Sequence, residues 1–150
     1  MVINEGIRFM PPSDLAPVVF DRDVTLANKL TIKKGDQVRV LHFAIMKNPK
    51  EWQRPTEFLP DRFNPESPLF LTREGKKRHP MSFLPWGSGK RVCFGKTFAE
   101  AKLKVILTYL TQRFDFELVD KEKYAGKYPY SALFQNKIPP IMIRLTHRKQ

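Results

Sequence analysis

The stretch PWGSGKRVCFG, residues 85–95, carries the only cysteine of the chain. A thiolate can act as a nucleophile or a metal ligand, and a thiol does neither well. The neighbours of Cys93 favour the thiolate. A helical pattern starts just behind it, and the positive end of a helix dipole stabilises an anion. Lys90 and Arg91 add positive charge. Gly87 and Gly89 permit close backbone approach to a large, flat partner. A lone cysteine is ordinarily a small buried hydrophobe. In this setting Cys93 becomes a candidate metal ligand or nucleophile.

The elements that must position this loop can be read from periodicity. After the loop, Ala99, Leu103, Ile106, Leu107, Leu110 and Phe114 recur on one face of a helix of about five turns over 96–114. Lys96, Glu100 and Lys104 fall four apart on another face, where charges can pair. Before the loop, residues 48–90 hold Pro49, Pro55, Pro60, Pro65, Pro68, Pro80 and Pro85, and no helical or strand period survives there. So long an irregular stretch must be ordered by something it wraps. Residues 1–9 read as the end of a helix, broken by the prolines of MPPSDLAP. VTLANKLTIKKGDQVRVLHF reads as two short strands around turns, one of them at Lys34–Gly35, with a short helix over 43–47. FDFELV and IPPIMIRLTHR read as strands, the second with Pro139 and Pro140 at its start.

Composition narrows the classes. At 150 residues with 41% apolar content, the chain suits one domain or a piece of a larger one. No run approaches the ~18 apolar residues of a membrane span, and the start lacks the pattern of a secretion signal. One cysteine excludes an internal disulfide. There are 27 Lys and Arg against 15 Asp and Glu, a net charge of +12, which attracts anionic partners of any kind.

WGSGKRVCFG reads as aromatic, Gly, x, Gly, x, Arg, x, Cys, x, Gly. This resembles the haem-binding signature of the cytochrome P450 family, the haem-thiolate monooxygenases, with Trp86 where the family usually has Phe. Glu5-Gly6-Ile7-Arg8 resembles the family's Glu-x-x-Arg helix motif. FLPDRF, residues 58–63, resembles its Pro-Glu-Arg-Phe segment, with Asp61 for Glu. NPKEWQRPTEFLPDRF resembles its irregular meander. The resemblance covers nearly the whole chain in the right order, and corresponds to about the last third of a family member. It implies an α+β fold, mainly α. Residues 1–150 would be the C-terminal haem-binding portion of a single domain whose N-terminal two-thirds lie upstream.

The resemblance also implies roles. Cys93 would be the axial ligand to the iron of haem b, iron protoporphyrin IX, and so the catalytic residue. Arg91 would contact a haem propionate. Trp86 would pack on the porphyrin near the sulfur, where its indole N–H is an added donor. Gly87 and Gly89 would line the macrocycle, and the amides of Phe94 and Gly95 would donate to the sulfur. Glu5, Arg8 and Arg62 would form a buried charge triad. The activity would be insertion of one oxygen atom of O2 into an apolar substrate, met by residues 15–20 and a turn at 133–136. Electrons would come from an NADPH-dependent flavoprotein reductase or a ferredoxin docking near Lys90, Lys96, Lys102 and Lys104. The full protein would act at the cytosolic face of the endoplasmic reticulum membrane. Two positions depart from the family: Lys102 stands where Glu is common, and Val18 where a propionate-binding cation is common, the nearest cation being Arg22. The portion alone would be inactive. Two other readings stay open: a remnant that keeps the signature without activity, and a basic nucleic-acid-binding module, although no aromatic–basic or zinc spacing supports the latter.

Overall fold

The computed structural model describes residues 1–12, 15–124 and 141–148, the side chains of 15, 16, 123 and 124 excepted. The chain divides into two compact units, Met1–Cys93 and Phe94–Gln150. Helical residues outnumber strand residues among those described. The turn expected at 133–136 and the prolines expected to open the last strand lie outside the described residues.

The first unit opens with α1, Val2–Phe9, which carries Glu5 in its first turn and Arg8 in its last. Both charges favour a helix by opposing the dipole at their ends. Strand β1, Leu15–Val19, follows the proline break. It pairs antiparallel with β4, Gln37–Leu41, with Val18 opposite Val38 and Pro17 opposite Arg39. A strand was not expected over a stretch containing Pro17. A two-stranded sheet has only edges, so a residue lacking an N–H is tolerated there. Between them, β2, Val24–Thr25, pairs with β3, Thr31–Ile32. The segment read as two strands therefore holds three, and the third folds back onto β1 rather than onto its neighbour. The turn at Lys34–Gly35 forms as expected, with Gly35 at φ +89°. Helix α2, His42–Met46, begins one residue earlier than the sequence suggests.

The proline-rich stretch is ordered by groups within the first unit. Short 3-10 turns at Pro60–Phe63, Pro68–Phe70 and Pro80–Ser82 each use proline at the first positions, where its missing N–H costs nothing. What the stretch wraps is charge. Glu5, Arg8 and Arg62 are wholly buried, alongside Met46 and Trp52. The Glu5 carboxylate accepts from Arg8 Nε at 2.7 Å and Nη2 at 2.9 Å, from Arg62 Nε at 3.1 Å, and from the Leu59 amide at 2.7 Å. Arg8 spends its remaining donors on the carbonyls of Met46, Pro55 and Glu57. Arg62 reaches the carbonyls of Gln53, Arg54 and Glu57. Burial, and repulsion from Arg8, hold the Arg62 guanidinium below its usual pKa.

In the second unit, α3 runs Lys96–Arg113, built from strong helix formers without an internal Gly or Pro. No ion pair joins Glu100 to Lys96 or Lys104 among the described residues. Strand β5, Phe114–Leu118, pairs antiparallel with β6, Ile143–His147, with Phe116 opposite Leu145. A short helix α4, Lys121–Tyr124, follows β5. The expected apolar face of α3 is present, but Leu103, Ile106 and Leu107 are 39%, 44% and 37% exposed. A second apolar stripe, Phe98, Val105 and Tyr109, is more exposed still.

Removing Arg62 would leave the Glu5 carboxylate short of a partner and strip donors from three carbonyls. Breaking a buried pair in this way costs about 3–5 kcal/mol, out of the ~5–15 kcal/mol that holds a domain. Arg62→Ala is expected to lower the unfolding free energy by that amount, seen as a lower urea midpoint followed through the fluorescence of buried Trp52. Arg62→Lys is expected to recover little, because an ammonium cannot span the same acceptors. An unchanged midpoint for the alanine variant would contradict the cluster's role. In the second unit, hydrogen bonds from Arg144 and then Lys121 hold the Glu117 carboxyl below its ordinary pKa. This pairing supports the β5–β6 ladder above that lowered value and is lost as pH falls through it. An NMR titration of Glu117 should show a depressed midpoint, moved back toward the ordinary range by Arg144→Ala.

Candidate functional site

The cysteine loop, as far as Cys93, belongs to the first unit and is shaped by backbone rather than by side chains. Gly87 and Gly89 both lie in the left-handed region, at φ +72° and +65°. Only glycine adopts that backbone without strain, so the spacing Gly-x-Gly is a geometric requirement here. A single 3-10 turn, Gly89–Arg91, then lifts the chain. The Gly87 amide donates to Leu84 O at 3.2 Å, and the Val92 amide to Gly89 O at 3.1 Å. The Cys93 amide donates back to Trp86 O at 2.8 Å. This last bond closes the loop and ties the cysteine to the aromatic residue seven positions before it.

The result is an exposed thiol at the tip of a short, bent loop. It is the reverse of the ordinary buried cysteine. Pro85 is buried and Trp86 half-buried, so the base of the loop is anchored while Lys90, Arg91 and Cys93 face outward. Arg91 and Lys90 make no ion pair among the described residues. In the second unit, Phe94 is fully exposed, and Gly95 caps the start of α3 with its carbonyl accepting from the Ala99 amide at 2.9 Å. Neither the Phe94 nor the Gly95 amide donates to another described group. Lys96, Lys102 and Lys104 are exposed and unpaired among the described residues.

The donor chemistry fits a haem. A soft thiolate suits iron. Val92 beside it is apolar yet exposed, with no packing to explain it among the described residues. Arg91 offers a free guanidinium to an anionic group.

Behind the loop lies a set of residues that motif reading did not single out. Trp52 is 1% exposed and donates its indole N–H to Ser82 O at 3.2 Å. It packs on Phe63 and Phe83, with ring centroids 5.8 and 6.2 Å away. Gln53 Nε2 donates to the carbonyls of Pro68 and Leu71, each at 3.0 Å. Glu51 accepts from the His79 amide at 2.7 Å. Three consecutive residues thus stitch the far half of the irregular stretch to its near half. The available signal was a tryptophan, a glutamine and an acid in a row within an otherwise proline-punctuated loop. Val18, at the place expected for a propionate-binding cation, is a half-exposed strand residue, and Arg22 is exposed.

Known proteins share this arrangement. The sequence model of the family Cytochrome P450 matches residues 1–145. Cytochrome P450 3A11 of Mus musculus is 32% identical over 148 residues, covering 99% of this chain and 28% of the relative. Probable cytochrome P450 4p2 of Drosophila melanogaster is 29% identical over 143 residues, 95% of this chain and 26% of the relative. The chain therefore spans little more than a quarter of the length of these curated relatives. The structure of a retinoic acid-bound cyanobacterial CYP120A1 superposes with a TM-score of 0.77 over 98% of this chain and 32% of that one, at 24% identity. The fold and a family match over almost every residue agree, and this chain belongs to the cytochrome P450 family.

Proposed function

We propose that the chain is the C-terminal haem-binding portion of a single monooxygenase domain that inserts one oxygen atom of O2 into an apolar organic substrate. The observation that carries this reading is the exposed thiol of Cys93, held at the tip of a glycine-bent loop by its amide bond to Trp86. Haem b bound there supplies the activation of dioxygen, for which an axial thiolate is the suited ligand. The chain's own residues hold and orient. Cys93 ligates. Arg91, charged and unpaired, meets a propionate. Gly87 and Gly89, at backbone angles where any Cβ is disfavoured, would let the bent loop approach the macrocycle closely. Trp86 supports the loop from beneath, and the amides of Phe94 and Gly95 donate to the sulfur. Glu5, Arg8 and Arg62 act at a distance by shaping the stretch from which the loop emerges.

The finer assignments rest on surfaces. Val18 and Val19 of β1 are 46% and 63% exposed, an apolar wall suited to an apolar substrate. The unpaired Lys90, Lys96, Lys102 and Lys104 suit an acidic electron donor, a flavoprotein reductase or a ferredoxin. No described helix is long and apolar enough to cross a membrane. We place the full protein at the cytosolic face of the endoplasmic reticulum, because the animal relatives are more similar in sequence than the cyanobacterial structure.

In the full-length protein loaded with haem, the reduced carbon-monoxide complex should show the strongly red-shifted Soret band of thiolate ligation. Cys93→Ala is expected to abolish it, Cys93 being the cysteine of the signature loop. A persisting band would remove Cys93 from the role. The 150 residues alone are expected to aggregate and to bind haem weakly, because both apolar stripes of α3 are uncovered. Purification, haem titration and an NADPH-dependent turnover assay with an added reductase check this. Stoichiometric thiolate-bound haem with product formation would show that the portion is self-sufficient.

A further inference from the structure

Arg78 belongs to none of the motifs used above. Its Nη1 donates to Leu69 O at 3.0 Å and its Nη2 to Arg62 O at 2.7 Å. Its plane lies over Trp52, 4.3 Å from the ring centroid, and 5.3 Å from that of Phe70. One guanidinium therefore bridges the backbone of the charge cluster to the ring on which the next segment rests. Trp52 holds Ser82 by its indole N–H and Phe83 by ring packing. Phe83 also packs on Phe63, at 5.0 Å and edge-on. Three residues further on, Trp86 supplies the carbonyl that takes the Cys93 amide. Arg62, Arg78, Trp52 and Phe83 thus form a line of contacts from buried charge to the segment that leads, through the chain itself, to Trp86 and Cys93. Beyond Pro85 the described bonds of the loop are backbone to backbone, Gly87 to Leu84, Val92 to Gly89 and Cys93 to Trp86. Its position must be set from its base.

Resting on the haem-thiolate reading, we infer that Arg78 is a positioning residue for Cys93: it fixes the Trp52 platform to the Arg62 backbone and so sets where the sulfur stands. Without it the platform can shift, and the loop that presents the sulfur would shift with it. The fold survives the loss, since Glu51 still holds the His79 amide and Trp52 still holds Ser82. A lysine keeps the charge and the aliphatic contact with Trp52, but cannot bridge two carbonyls in one plane.

The test uses the full-length, haem-loaded protein. At a fixed temperature, the rate at which the reduced carbon-monoxide complex loses its red-shifted band is measured, with total haem followed separately. Arg78→Ala is expected to keep its haem and to lose the band at least about tenfold faster than wild type, as for a lost charged hydrogen bond. Arg78→Lys is expected to fall between, and carries the same measurement should the alanine variant take up no haem. Met46→Ala is the control, because Met46 is fully buried and its side chain is not on this line. A decay for Arg78→Ala equal to wild type overturns the inference. So does an equally fast decay in Met46→Ala at a matched fall in Tm, which would reduce Arg78 to a general support. If wild type itself lacks the red-shifted band, or Cys93→Ala keeps it, the haem-thiolate reading fails first and this inference with it.

Discussion

The Glu5 carboxylate takes hydrogen bonds from two guanidiniums and a backbone amide with no exposed surface of its own. Two buried cations on one anion leave an excess of positive charge that a dry interior would not tolerate unaided. The excess is met by carbonyl oxygens. Those oxygens come largely from residues 46–57, on the near side of the proline-rich stretch. The composition of the stretch accounts for this. Each proline contributes an acceptor and no donor, and an irregular chain has no ladder to use its carbonyls. A loop rich in proline is therefore rich in spare acceptors. Arginine has five donors and no acceptor. Arg8, Arg62 and Arg78 complement the loop as a helix or strand would complement itself, and the loop is in effect part of the counter-charge of the cluster.

This explains how an exposed thiol can be held in place by so irregular a scaffold. Arg54 adopts the left-handed region at φ +49°, an uncommon backbone for a residue with a side chain. Its carbonyl is one of those that meet Arg62. The strain of that one residue is sustained because the surrounding bonds over-determine it. Glu51, Trp52 and Gln53, just before it, then carry the order onward to 68–82. The cysteine loop begins where that order ends. Its own glycines give it shape, and the buried Pro85 gives it a fixed root.

The helices 2–9 and 96–113 were legible because their periodicity is local, and the β5–β6 strands because their residues alternate. The Gly-x-Gly spacing was legible because positive φ selects one residue type. The ordering of 48–90 was not. Its partners are far apart in sequence, as with Arg8 and Glu57 or Trp52 and Ser82, and side chain to carbonyl bonds leave no period behind. Motif resemblance pointed to Glu5, Arg8 and Arg62 but had nothing to say of Arg78, whose partners are two main-chain oxygens and a ring. Strand β1 was missed for a related reason. Pro17 reads as a breaker until the pairing shows that its side of the strand has no neighbour.

The two units differ in what completes them. The first satisfies its buried charges from within. Among the described residues, the second leaves its helix uncovered. On α3 the stripe Leu103, Ile106, Leu107, Leu110 follows the spacing expected of one core-facing side, while Phe98, Val105 and Tyr109 make a second stripe at spacings of seven and four. Only Lys102 and Arg113 lie between the two, and Arg113 stacks on Tyr109 with its charge 4.0 Å from the ring centroid. A helix apolar over so much of its circumference is one that a larger core surrounds. Its remaining polar sector, Thr97, Glu100, Lys104, Thr108 and Thr111, is the side left for solvent. A surface that covers both stripes must therefore be apolar and must wrap more than half of the helix.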